Sequence, residues 1–204
     1  MRIFLLRHGA TDWNVAGRCQ GLTDLEINAA GRAQAESAAR MLARETLAAI
    51  YTSHLTRAKQ TAAEVGRAHR LEVAVEENLH ELDHGELEGL TFAEIKTIHR
   101  DFIRDWRDRP AEAVIPGGER LSDVAERAWR ALDRIVARHR PDDTLVVVSH
   151  NFPILSVLCR ILGTPLNQYR TYHVPPGGVV CLEYDAAGAW RLVVENGKLP
   201  LRED

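Results

Sequence analysis

Apolar and polar positions alternate along this chain in two rhythms that take turns. Near the start, "IFLL" (3–6) is a short apolar run bounded by charge, the pattern of a strand buried on both faces. "NAAGRAQAESAARMLARE" follows, Ala-rich and helical, with Asn28 placed as its N-cap. "AAIYTS" (48–53) reads as a second strand and "RAKQTAAEVGRAH" (57–69) as a second helix. In "LEVAV" (71–75), Leu71, Val73 and Val75 share one side, the period of two that marks a third strand. Thr91 and Glu94 have capping-box spacing and open a helix over "FAEIKTIHRDF". The longest helix carries Leu121, Val124, Ala125, Ala128, Leu132, Ile135 and Val136 on one stripe. "TLVVVSH" (144–150) is a continuous buried-strand run, and helical "FPILSVLCRILG" comes after it. Finally "GVVCLEY" and "AWRLVVE" flank "DAAG", which predicts an antiparallel hairpin at a sheet edge.

Strand, helix, strand, helix is the grammar of an α/β domain with a mainly parallel central sheet and helices on both faces. No repeat, low-complexity tract or linker-like stretch divides the chain, so residues 1–204 are expected to form a single domain. Ligands of such sheets gather outside the carboxyl ends of the strands. There this chain places Arg7 and His8 after the first strand and Arg57 after the second. Glu81 lies beyond the third strand and His150 follows the fourth. Two Arg, two His and one Glu are thus expected at one edge of one sheet.

Composition narrows what that edge could serve. Acids outnumber bases, 29 to 26, for a formal charge of −3, which argues against nucleic acid as a partner. A few Arg can still make a local positive pocket for a small anion. The opening "MRIFLLRHG" has only four consecutive apolar residues, too few for a signal peptide or a membrane span. Cys19, Cys159 and Cys181 are odd in number and widely separated, which fits a reduced, cytoplasmic setting.

One motif points elsewhere. "HELDH" (80–84) has the His-Glu-x-x-His spacing of zinc peptidases, in which a helix puts both His on one face. The surroundings do not favour a helix. A strand pattern and "EEN" precede the motif, and Gly85 and Gly89 follow, each costing about 1 kcal/mol in a helix interior. A third ligand would have to come from Glu94 or His99, and Arg7, His8, Arg57 and His150 would have no role. The match is read as coincidence, and no metal or other cofactor is expected.

The cluster reads better as an anion site. Guanidinium forks fit phosphate oxygens, and phosphoryl transfer is mostly positioning and charge stabilisation. A neutral imidazole is a competent nucleophile, and nearby Arg charges would keep His8 neutral. A leaving alkoxide needs a proton, and Glu81 is the candidate acid, provided that burial or a bound phosphate dianion raises its pKa.

"LLRHGATDWN", "GRCQGLTDLEINAAGRAQA", "YTSHLTRAKQTA", "HELDHGELEGLT", "PGGERLSDVAERAW" and "VVVSHN" resemble, in order, the successive blocks of the histidine phosphatase superfamily, phosphoglycerate mutase-like branch. The resemblance runs from about residue 3 to 160. It implies a Rossmann-like three-layer sandwich and a ping-pong reaction through phosphohistidine without a metal. By the family pattern His8 is the nucleophile, Arg7, Arg57 and His150 bind and polarise the phosphoryl oxygens, and Glu81 is proton donor and then base. Asn14, Gln20, Gly21 and Asn151 are the expected substrate-binding positions near the phosphate. Asn151 stands where the family usually has Gly, and Leu87 replaces an aromatic often found before "EG".

The mutase branch is similar but usually carries an inserted segment after the acid that cages its intermediate. Here ten positions separate Glu81 from Thr91, which favours an open pocket and hydrolysis. "LDHG" together with "DFIRDW" and "VVVSHNFPI" resembles metal-independent phosphoserine phosphatases, in which a His matching His84 holds the amino-acid part. Broad-specificity and α-ribazole-phosphate phosphatases carry similar loops. The expected partner is therefore a small phosphorylated metabolite, phosphoserine the leading candidate. Phosphoglycerate mutase and a non-catalytic phospho-ligand scaffold stand as alternatives. The edge hairpin and the apolar helix after His150 offer a surface for a homodimer.

Overall fold

The computed structural model describes residues 1–193 and 201. In chain order they form β1 (Arg2–Arg7), α1 (Asp12–Val15), α2 (Ala29–Leu42), β2 (Leu47–Thr52), α3 (Thr56–His69), β3 (Val73–Val75), α4 (Phe92–Ile98), α5 (Arg100–Asp108), α6 (Leu121–Val136), β4 (Thr144–Ser149), α7 (Asn151–Ile161), β5 (Val179–Tyr184) and β6 (Trp190–Val193). The strands lie in the order β3-β2-β4-β1-β5-β6. β1 pairs parallel with β4, and β2 pairs parallel with both β4 and β3. β5 adds antiparallel to β1 and β6 antiparallel to β5. The edge hairpin thus forms as its pattern predicts, although the last two residues of "AWRLVVE" lie outside the described residues.

Both faces of the central strands are buried, which is why "IFLL" and "LVVV" read as unbroken apolar runs. Ile3, Leu5, Leu145 and Val147 point to one side and pack with the stripes of α6 and α7, among them Leu121, Val124, Leu132 and Ile154. Phe4, Leu6, Val146 and Val148 point to the other side, against Ala38, Leu42, Ala58 and Val65 of α2 and α3. The result is a three-layer α/β sandwich. Two elements depart from their patterns. β3 is shorter than 71–75 and leaves Val75 half-exposed, because it lies at the sheet edge. The helix expected over "FAEIKTIHRDF" breaks at His99 (φ −113°, ψ 54°) into α4 and α5. Trp106 is eleven residues beyond Ile95, about 16 Å along a straight helix, and the bend brings both to one cavity.

Candidate active site

Register sets the site. Arg7 pairs with Ser149 and Thr52 with Val148, so the carboxyl ends of β1, β2 and β4 finish level. His8, the next residue after β1, donates its backbone N–H to the Ser149 carbonyl (3.0 Å). Its ring Nδ1 lies 2.8 Å from the Gly9 carbonyl oxygen. A carbonyl only accepts, so the partner assigns the proton to Nδ1 and leaves a lone pair on Nε2. Burial first, and then the charges of Arg57 and Arg7, hold the His8 pKa well below 6.5. At neutral pH His8 is an uncharged imidazole. Gly9 lets this turn sit tight: a Cβ there would meet the Gly31 carbonyl oxygen at 2.4 Å.

Glu81 reaches the same place from the loop after β3. Its Oε1 accepts from the backbone N–H groups of Leu82 (2.8 Å) and Phe152 (3.1 Å), and its Oε2 from that of Asn151 (3.0 Å). The carboxyl group therefore covers the start of α7. Burial raises its pKa above the usual carboxylate value. The backbone donors and the charges of Arg57 and Arg7 oppose that rise. With two donors on Oε1 and one on Oε2, Oε2 has the room to carry a proton.

Arg7 donates through Nη1 to the Asn151 Oδ1 (3.0 Å) and the Val174 carbonyl (2.7 Å), while its buried Nε has no partner. Arg57 and His150 are fully buried one layer behind. Arg57 donates to the carbonyls of Gly21 (2.7 Å) and Thr23 (3.0 Å), and through Nε to the His150 Nδ1 (3.3 Å). Because that nitrogen accepts, the proton of His150 is on Nε2, 2.6 Å from the Ser53 hydroxyl. The His150 and His8 rings are 5.0 Å apart. Gln20 is best oriented with its amide nitrogen toward the Thr11 hydroxyl (2.5 Å) and its oxygen toward the Arg57 Nε and Nη1 (3.1 Å each). A Cβ on Gly21 would strike a Glu88 oxygen at 2.2 Å and the His84 nitrogen at 2.7 Å. Glu88 in turn accepts from the backbone N–H groups of Leu22 (2.6 Å) and Thr23 (2.7 Å), which pins this loop.

Arg7, His8, Asn14, Gln20, Glu81, His84 and Asn151 line one cavity of about 300 Å³, together with apolar side chains such as Leu87, Phe102 and Trp106. A neutral imidazole, an arginine and a carboxyl group whose pKa burial raises, set around one space, are groups that can together transfer a phosphoryl group. The model of the histidine phosphatase superfamily (branch 1) matches residues 3–197. The chain belongs to that superfamily. It is accordingly a phosphomonoester hydrolase. Phosphoserine phosphatase 1 of Hydrogenobacter thermophilus is 36% identical over 172 residues, 84% of this chain and 81% of that one. Bacillus stearothermophilus YhfR superposes with a TM-score of 0.90 at 31% identity, covering 98% of this chain and 99% of that one. A mycobacterial glucosyl-3-phosphoglycerate phosphatase with VO3 gives 0.86 at 32% identity, covering 97% and 99%. Against some longer curated relatives, this chain spans only about half (55%) of their length.

Within this family site, the residues singled out from sequence fall into two groups. Seven line the cavity, whereas Arg57, His150 and Gly21 support it from behind. In this structure Arg57 and His150 engage protein partners rather than opening into the cavity. "HELDH" is not helical: Glu77–Leu79 is a single 3₁₀ turn and His80 is extended (φ −65°, ψ 161°). The His80 ring stands 5.6 Å from that of His54, while His84 lines the cavity. Among the described residues, no three His, Cys, Asp or Glu are grouped to hold a metal ion. Cys19 also lines the cavity, and burial pushes its thiol up to about 11, so it stays protonated rather than becoming a reactive thiolate. Among the described residues, no helix is long and apolar enough to cross a membrane.

Sequence reasoning missed three features. His173, which belongs to none of the sequence blocks, is exposed and stands at the cavity rim. The apolar faces of α4 and α5 form its wall. Arg127 of α6 donates to the carbonyls of Asn78 (2.9 Å), His80 (2.7 Å) and Glu81 (2.9 Å), and pairs with both carboxylate oxygens of Glu119 (2.7 and 2.9 Å). It clamps the loop that presents Glu81. An Arg beside the apolar stripe of a long helix was the visible signal, but its carbonyl partners leave no mark in a sequence.

Proposed function

We propose that this chain is a metal-independent phosphomonoesterase working through a phosphohistidine on His8. The observation that carries this reading is the lone pair on the His8 Nε2 in a cavity shared with Arg7 and Glu81. In the first step Nε2 attacks phosphorus and the P–O bond to the alcohol breaks. The Glu81 Oε2 gives its proton to the departing oxygen. In the second step the Glu81 carboxylate takes a proton from water, whose oxygen attacks phosphorus. The N–P bond breaks and returns the neutral imidazole. Arg7, whose Nε lacks a protein partner, binds the phosphoryl oxygens, with Asn14, Gln20 and Asn151 beside it. Arg57 and His150 act from behind His8, by charge and by holding loop 20–23. A bound phosphate dianion adds to the burial that raises the Glu81 pKa and so supplies the acid form.

Small phosphorylated metabolites are the proposed substrate class. The phosphoserine phosphatase relative supports phosphoserine, and His84 would be its amino-acid contact. The test is hydrolysis of 4-nitrophenyl phosphate with EDTA present, together with alkaline quenching of enzyme mixed with ³²P-labelled substrate. Turnover unaffected by EDTA and label on His8 are expected. Phosphate binding without turnover would instead favour a scaffold, and conversion of 3-phosphoglycerate dependent on a bisphosphoglycerate primer a mutase.

A further inference from the structure

The cavity that holds His8 is also lined by Phe92, Phe102, Ile103, Trp106, Phe152 and Leu87. α5 has no fully buried residue. Its apolar face is half-buried along the cavity while Arg100, Asp101, Arg104, Asp105, Arg107 and Asp108 take the outer side. Phe92 on α4 is 65% exposed at the rim. The rings form a connected surface: Phe102 to Trp106 5.5 Å, Trp106 to Phe152 5.8 Å, and Phe152 to His84 5.5 Å between centroids. An amphipathic helix normally spends its apolar face on a core. Here part of that face is left to a cavity continuous with the phosphoryl site.

Charge in the cavity points the same way. Among the described residues lining it, the one carboxylate is Glu81, which the reaction occupies and which already accepts three backbone donors. An ammonium group on the substrate would find no other anion there. His84, with a pKa pushed down to about 4, is uncharged at neutral pH and offers no cation for a substrate carboxylate. Arg18 at the rim is already donating to the Gly89 carbonyl (2.6 Å) and faces Glu94 (3.6 Å).

We infer that the alcohol part of the substrate is apolar and uncharged, an arylalkyl or alkyl group that lies against the Phe102–Trp106 wall with its phosphate at His8. This rests on the phosphohistidine reading above and chooses within it: phosphoserine is a poorer substrate than an apolar phosphomonoester. Leaving-group acidity must be held level, so the comparison uses primary alkyl esters: ethyl, butyl, hexyl and 2-phenylethyl phosphate, beside phosphoserine. kcat/KM should rise along the series, by about three- to fourfold for each methylene that the wall covers. The 2-phenylethyl ester should exceed both ethyl phosphate and phosphoserine by more than tenfold. Trp106→Ala and Phe102→Ala should each compress the phenylethyl-to-ethyl ratio to under threefold, a ratio insensitive to the fraction of folded enzyme. A flat series, or phosphoserine equal to the phenylethyl ester while His8 still becomes labelled, overturns this inference alone. Turnover without label on His8 overturns the phosphohistidine reading instead.

Discussion

The floor and the wall of the cavity are made from opposite materials. On the floor and directly beneath it, His8, Glu81, Arg57 and His150 are buried polar groups held by directional hydrogen bonds, with the His8 Nε2 lone pair left free. Buried polar groups left unpaired are costly, so this network allows few other arrangements and holds the reacting atoms still. The wall is apolar and partly open to solvent, held by packing that specifies volume more than direction. Chemistry is fixed where directional bonds are dense, and choice of substrate is left where they are sparse. Substitutions on the floor should therefore change rate for every substrate, and those on the wall should change rank among substrates.

The sharpest way to break that division is at His8, the proposed nucleophile. His8→Ala should abolish the phosphoenzyme and lower kcat by about 10⁴-fold or more, whichever ester is offered. Quench-flow with labelled substrate checks it, and an equally active variant would dissolve the distinction. Next in size is Glu81→Gln, expected to cost about 10²–10⁴-fold in kcat for alkyl phosphates. The loss of a first-step rate should be far smaller for 4-nitrophenyl phosphate, whose leaving group needs no proton. Because the second step still needs a base, a burst of nitrophenol should appear. In the parent enzyme the acid form of Glu81 is depleted as pH climbs past its raised pKa, so alkyl ester turnover should fall on the alkaline side. On the acid side His8 keeps its lone pair to well below pH 6.5.

Arg127→Ala tests the support of the floor rather than its reacting atoms. Freeing the loop at Asn78–Glu81 should lower kcat by about 10- to 100-fold. KM should change little, the alkaline limb should move, and Arg127→Lys should recover part of the rate. An unmoved pH profile would make the clamp merely structural.

The same division governs what could be read beforehand. Runs such as "IFLL" and "LVVV" announced strands covered on both sides, and parallel order followed from the alternation with helices. The placing of Arg7, His8 and His150 together followed from β1 and β4 finishing level, whereas Glu81 arrives by the loop beyond β3. Arg57 and His150 were expected to point at the phosphoryl group. Their actual partners are backbone carbonyls of Gly21 and Thr23, the Ser53 hydroxyl and each other, contacts that depend on how loop 20–23 folds back. The wall was legible only as helix. That Phe102 and Trp106 line a cavity as well as packing on the core depends on the break at His99, a backbone change that no apolar period encodes.

His84 stands where floor meets wall, and it gives the smallest effect. Its ring packs on Phe152 at 5.5 Å, and its buried Nδ1 makes no hydrogen bond. Burial lowers its pKa from 6.5 to about 4. A His shifted down on folding binds more protons unfolded than folded between those values, so its contribution to stability is intact above about pH 6.5. It is lost as pH falls toward 4. Between pH 7 and pH 5 this one group should remove roughly 2 kcal/mol. His8 and His150 shift in the same direction, so the parent protein should weaken in acid by more than that. Subtracting a His84→Gln variant isolates the single residue: in urea titrations its stability gap between pH 7 and pH 5 should be smaller by about 2 kcal/mol. An identical gap in both proteins would mean that His84 reaches water. The boundary between the ordered floor and the apolar wall would then lie elsewhere.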